Sequence, residues 1–260
     1  MLKSFMSLDT SFRVRLPLSI VSMVAFYVTI GYMKKIDILT IFPEIVEPYL
    51  GGSIMGRAQD AETVEFGVHN IRDFADDKHN RVDDTPYGGG AGMVMQVGPI
   101  YRAVEDVKSK IDSDKKTRVI LLSAKGSRYI QKDAQRLKEY DNIILICGRY
   151  EGVDERVAQH IADEEISIGD FVLTGGELGA MIVADSVVRL LPGALGNDES
   201  AIYESHSTDG YKEHPHYTKP EEFNGWRVPD ILLSGHHENI DAWRKTNSNG
   251  LEYVQKKEKK

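Results

Sequence analysis

The sequence predicts an α/β fold with a mainly parallel sheet, followed by a small helical C-terminal unit. Three observations carry that expectation. Between residues 35 and 191, short apolar runs alternate with stretches of helical periodicity, and parallel neighbours in a sheet need a helical crossover between them. Several runs are nearly continuous in Val, Ile and Leu, as strands buried on both faces must be. Glycine-bearing segments directly follow two of these runs, where open parallel sheets collect their ligands.

The elements follow in order. Residues 36–41 read as a strand, and Phe42-Pro-Glu44 opens a helix with proline in its first turn. Residues 63–71 alternate as a second strand, and 97–111 have helical periodicity. A continuous apolar strand at 118–122 precedes a helix at 130–140, and a strand at 143–147 precedes a helix at 154–161. A strand at 164–168 leads to a long, strongly apolar helix at 176–191. The polar stretch 197–210 reads as a flexible connector of the kind that serves as a lid. Residues 211–260 lack strand patterns and contain helical segments such as 238–245.

The first 32 residues differ from the rest. Lys3, Arg13 and Arg15 precede an apolar run at 16–32, at the lower limit for a membrane span. A signal or anchor is one reading. The favoured one is a non-functional extension ahead of a start at Met33, because Ser19, Ser22 and Thr29 dilute the run.

Composition narrows the function. A lone cysteine, Cys147, excludes an intramolecular disulfide and favours a reducing compartment, the cytoplasm. It ends an apolar run and reads as a buried small residue. The net charge of −8 argues against nucleic acid, but Lys and Arg concentrate at 125–138 and 244–260. Local patches decide such binding; solvated helix faces explain these equally well. The chain has no phosphate-binding P-loop, no dinucleotide fingerprint, no zinc-protease helix and no hydrolase nucleophile elbow. No metal-ligand spacing is read.

Three segments carry chemistry. Asp83-Asp-Thr-Pro-Tyr-Gly-Gly-Gly-Ala-Gly-Met93 specifies an irregular loop where backbone approaches something closely. Its Asp83 and Asp84 serve equally as turn formers or as acids. Cys147-Gly-Arg-Tyr-Glu-Gly152 follows a strand, which places Arg149, Tyr150 and Glu151 well for a ligand. Ser167-Ile-Gly-Asp-Phe-Val-Leu-Thr-Gly-Gly-Glu177 links a strand to the long helix.

With these stretches, the region from Met33 to about Asn249 resembles the bacterial tRNA (guanine-N1)-methyltransferases, of the trefoil-knotted class. Further matches are Ile41-Phe-Pro-Glu44, Val153-Asp-Glu-Arg156, Asp185-Ser-x-x-Arg189, Pro192-Gly193, Pro215-His-Tyr-Thr-Lys-Pro220 and Leu232-Leu-Ser-Gly235. The resemblance implies a deep knot within 33–196 and S-adenosylmethionine as methyl donor. It implies that backbone around Ile168, Gly169, Phe171, Leu173, Gly175 and Gly176 holds the adenine, with Ser167 beside them. Gly148, Tyr150 and Glu151 would approach the methionine part. The substrate implied is the guanosine immediately 3′ of the anticodon, gripped by residues 211–260 through the tRNA anticodon stem-loop. The family acts as a homodimer with sites shared between subunits and uses magnesium, for which Glu151 and Glu204 are the candidate acids.

Methylating N1 of guanine needs a base for its proton and a cation near O6. Arg189 matches the family's catalytic arginine. Where the family has Asp before Ser, this chain has Glu204 before Ser205, with one extra residue before Pro215, so Asp209 is the alternative base. Ala124 and Gly179 stand where proline is common in the family. A knotted enzyme for another RNA nucleoside, a non-catalytic RNA binder and a membrane-anchored protein are the competing readings.

Overall fold

The computed structural model describes residues 33–195, 204–208 and 210–249. The apolar run at 16–32, most of the 197–210 connector, Asp209 and the Lys-rich end lie outside the described residues.

The chain opens with β1 (Lys34–Thr40), α1 (Pro43–Leu50), α2 (Ser53–Asp60) and β2 (Val64–Asn70). A short pair, β3 (Asp83–Asp84) and β4 (Val94–Met95), precedes α3 (Val97–Ser109). Then come β5 (Thr117–Arg128), α4 (Gln131–Leu137), β6 (Asn142–Cys147), α5 (Glu155–His160), β7 (Glu164–Ser167) and α6 (Glu177–Val188). The main sheet has the order β2-β1-β6-β5-β7, and every neighbouring pair is parallel. The expected parallel sheet is therefore present.

Side chains alternate between the two faces of each strand, and the core divides accordingly. Ile36, Ile38, Ile143 and Leu145 pack with residues of α1, α2, α4 and α6. Leu39, Ile144, Ile146 and Val119 pack with residues of α3 and α5. Every residue of β6 is buried, as a central strand covered on both faces requires. Cys147 is fully buried there, and desolvation pushes its thiol well above the ordinary range. A buried lysine also belongs to this frame. Lys34 Nζ donates to the carbonyls of Leu137 and Tyr140 at the end of α4, and burial lowers its pKa to about 8.

The structure departs from the expectation in three places. First, α2 forms where no helix is read, because Gly51, Gly52 and Gly56 interrupt the pattern. Gly56 is needed there: a Cβ would lie 2.5 Å from the Gly51 carbonyl oxygen. Second, β5 continues beyond Leu122 to Arg128. Leu122 and Ser127 both pair with Ile166, so residues 123–126 bulge out of the ladder. Third, the C-terminal region is not without strands. β8 (Glu222–Phe223) and β9 (Trp226–Arg227) form an antiparallel hairpin. Asn224 and Gly225 both have positive φ, 54° and 82°, the geometry of a type I′ turn. Two helices follow, α7 (Asp230–Leu233) and α8 (His237–Asn247).

Candidate active site

A crevice of about 420 Å³ opens at the bulge within β5 and at the carboxyl ends of β6 and β7. That volume falls within the roughly 300–1,000 Å³ of small-molecule sites. Three loops build it. The bulge after Leu122 supplies Ser123, Ala124 and Lys125; the loop after β6 supplies Gly148, Tyr150 and Glu151. The loop after β7 supplies Ser167, Ile168, Phe171, Leu173, Gly175 and Gly176. The expected donor-binding residues thus come together, with one exception. Gly169 does not line the crevice; its carbonyl and amide both bond Ser167 Oγ, so it shapes the loop.

Glycine lets these loops touch. Gly176 donates its N–H to the Gly148 carbonyl at 2.9 Å, and a Cβ there would lie 2.8 Å from Cys147 Cα. At Gly175 a Cβ would strike Arg149 Nε at 2.1 Å. Arg149 is turned inward against Glu177, with Nε 2.9 Å from Oε2, and lies over the Phe42 ring at 4.7 Å. Thr40 Oγ1 donates to the other Glu177 oxygen at 2.6 Å. Glu177 is 1% exposed. A buried carboxylate of this kind demands partners, and here they tie β1, the second segment and the start of α6 together. The sequence places Arg149 for a ligand; its guanidinium is instead occupied in positioning.

The first glycine segment walls the second. Glu151 N–H donates to the Met93 carbonyl at 3.0 Å, and Met95 N–H to the Gly152 carbonyl at 2.9 Å. Gly88, Gly89, Gly90 and Gly92 all have positive φ, which only glycine adopts at no steric cost. A Cβ on Gly92 would also meet the Glu151 side chain at 2.4 Å. Asp83 and Asp84 sit in β3, where Asp84 Oδ1 accepts from the Thr85 N–H, the turn-forming role.

Three glutamates and two cations, Lys125 and Arg149, line the crevice. The glutamates are Glu151, Glu155 and Glu165, and Glu155 pairs with Lys125. Glu165 Oε2 is buried and has no hydrogen-bond partner among the described residues. Glu165 is not singled out by sequence reasoning, and of the 123–126 bulge only Ala124 is, as a position where proline is common in the family the sequence resembles. The one available signal for the bulge is the small and polar run Ser123-Ala-Lys-Gly126 after an apolar strand.

Arg189 and Glu204 stand apart from the crevice lining but meet each other. The pair is bidentate, with both N–O distances 2.6 Å. Hydrogen bonding to Glu204 raises the Arg189 guanidinium above its already high ordinary value, so it is a permanent cation. Arg189 ends a stripe on α6 that includes Leu178, Ile182 and Asp185. Leu178 and Ile182 are 53% and 47% exposed, as are Ile45 and Tyr49 of α1 at 41% and 44%. Tyr49 donates its hydroxyl to Asp185, which pushes its pKa up to about 12. No helix among the described residues is long and apolar enough to cross a membrane.

The tRNA (guanine-N(1)-)-methyltransferase of Brevibacillus brevis is 56% identical over 210 residues, covering 81% of this chain and 84% of that protein. The proteins of the same name from Bacillus cereus and Bacillus anthracis are 54% identical over 210 residues, covering 81% of this chain and 85% of theirs. The profile of the tRNA (Guanine-1)-methyltransferase TrmD family matches residues 33–258, so the chain belongs to that family.

Proposed function

We propose that this chain methylates N1 of a guanine in tRNA, taking the methyl group from S-adenosylmethionine bound in the crevice. The observation that carries the reading is the paired Arg189 and Glu204. The N1/O6 edge of guanine presents a donor beside an acceptor. The two groups close on each other in this structure; opened by an incoming base, the pair would offer a carboxylate to N1–H and a guanidinium to O6. Adenine presents the reverse order and would meet an acceptor with an acceptor.

The residues fit the donor. The 168–176 loop would meet an adenine edge with those main-chain groups not already bonded within it, Leu173 and Phe171 would give apolar contact, and Gly175 and Gly176 permit close approach. Bound there, S-adenosylmethionine would supply a methyl group carried on a cationic sulfonium. The carboxylates of Glu151 and Glu165 favour that charge, and the orphaned Glu165 oxygen can accept a ribose hydroxyl. Transfer would break the sulfonium S–CH₃ bond and leave a neutral thioether, while Glu204 would accept the N1 proton and Arg189 would meet the charge growing on O6. Glu204 reaches Arg189 with both oxygens despite being a methylene longer than the family's aspartate.

The exposed stripe Leu178–Ile182 beside Ile45 and Tyr49 supports a homodimer, and because Arg189 continues that stripe, a partner docked on it would bring its own crevice towards Arg189. A knotted path through 33–196, the guanosine immediately 3′ of the anticodon as target, and a cytoplasmic location belong to the same reading. Exposed Tyr217, Phe223 and Trp226 offer rings for stacking on unpaired bases. Magnesium does not fit the acids expected for it: among the described residues Glu151 lines the crevice while Glu204 stands apart from it, and the two do not come together in a ligand group.

The test is methyl transfer to an anticodon stem-loop by wild type, Glu204→Gln and Arg189→Ala, with donor binding measured alongside. Each variant is expected to bind donor normally and to lose about 10²-fold or more in rate. A near-normal rate for Glu204→Gln removes it as the base and leaves Asp209 in its place.

A further inference from the structure

The segment that follows Ser205 holds a side-chain cluster that belongs neither to the crevice lining nor to the Arg189–Glu204 pair. Glu213, His214 and His216 each direct a ligand-capable atom to one place, all within 4.8 Å of one another. Ligands of a tetrahedral cation at metal–ligand distances near 2.0–2.2 Å stand about 3.3 Å apart, so closing the cluster needs only small rotations. One edge is already shorter, with His216 Nε2 2.9 Å from Glu213 Oε1. The imidazole centroids lie 4.7 Å apart. In addition, His214 Nδ1 is buried and has no hydrogen-bond partner among the described residues. Such a nitrogen is an unused lone pair or an unused donor, and a cation satisfies the former.

The local chain supports this preorganisation. Pro215 separates the two histidines and fixes its own φ. The edge of Trp243 in α8 packs against His214 at 6.2 Å and against Tyr217 at 6.3 Å, limiting ring motion. Arg244, the nearby cation, is paired with Asp241 at 3.3 Å, which offsets its repulsion of a metal.

We propose that Glu213, His214 and His216 form a binding site for a divalent transition cation of the zinc class. Two imidazoles and one carboxylate select such ions over magnesium or calcium, which take oxygen ligands. Three protein ligands leave a fourth position open to water or to an oxygen of a bound molecule. The site sits beside the catalytic connector, since the Glu213 N–H donates to Ser205 Oγ at 3.0 Å. All three ligands lie on this one segment, which Ser205 Oγ and the Trp243 ring hold beside the connector and the C-terminal helix.

The test is calorimetric titration of zinc chloride into the full-length chain, repeated with cobalt(II) to read coordination from its visible absorption. Wild type is expected to bind one zinc per chain and to give the strong bands of four-coordinate cobalt. His214→Gln and His216→Gln are each expected to weaken binding by more than the roughly 10- to 100-fold that loss of a supporting partner causes. His237→Gln, on the exposed His236-His237 pair, is expected to leave it unchanged. Folding of each variant is checked by its binding of S-adenosylmethionine in the separate crevice. Absence of saturable zinc binding in wild type, or equal affinity in all folded variants, overturns the proposal.

Discussion

Gly175 shows how closely the donor site depends on single atoms. A methyl group there would occupy the space of Arg149 Nε and approach Glu177 Oε2 at 2.5 Å. The Arg149–Glu177 pair must then move, and with it the loop after β6. Gly175→Ala is expected to destabilise the fold by about 1–3 kcal/mol and to weaken donor binding by about tenfold or more; urea unfolding and calorimetry check the two effects. Lys34 gives a pH-dependent prediction. Its folded pKa of about 8 lies below the unfolded value of 10.5, so between these values the unfolded chain binds more protons. Stability from this group therefore rises with pH across that window and is flat below it. Against Lys34→Met, wild type is expected to gain on the order of 2 kcal/mol or less from pH 8 to 10.5. Paired urea titrations read the difference, in which other titrating groups cancel.

The bulge in β5 is the element on which the crevice rests. Its last residue, Gly126, presses against the chain between Glu165 and Ile166, where a Cβ would lie 2.6 Å from backbone atoms. Gly126→Val is expected to push β7 away, abolish measurable donor binding and lower the melting temperature, whereas Gly152→Ala, whose Cβ would meet nothing within 4 Å, is expected to keep far more of both despite its positive φ. The bulge also marks a limit of sequence reasoning. Strands such as residues 143–147 were legible because apolar runs buried on both faces have few other uses. The loops after β6 and β7 were legible because their glycines follow such runs. Register, in contrast, is a relation between strands far apart in sequence, and nothing in Ser123-Ala-Lys-Gly126 states that Leu122 and Ser127 share the partner Ile166. The same holds for Glu177, whose partners Thr40 and Arg149 lie on other elements. The Asn224-Gly225 hairpin is a different case: its turn signal was present in the sequence but is masked by flanking strands of only two residues each.

For the whole molecule, the exposed stripe on α1 and α6 is the feature with the widest reach. Replacing Leu178 and Ile182 together by glutamate is expected to yield monomers by sedimentation, because charge at the centre of an apolar interface is not tolerated. Donor binding within one chain should survive, while methyl transfer should fall by about 10²-fold or more if sites are shared; a monomer with full activity refutes the sharing. The sheet order has its own consequence. The three walls of the crevice follow β5, β6 and β7 and are brought together by strands that are not in sequence order. During synthesis, a chain that has emerged only through residue 160 possesses two walls and no site, and the long-range pairing that supplies the third is slow to form. Capture of labelled donor by stalled ribosome-bound chains thus serves as a clock for the completion of this fold.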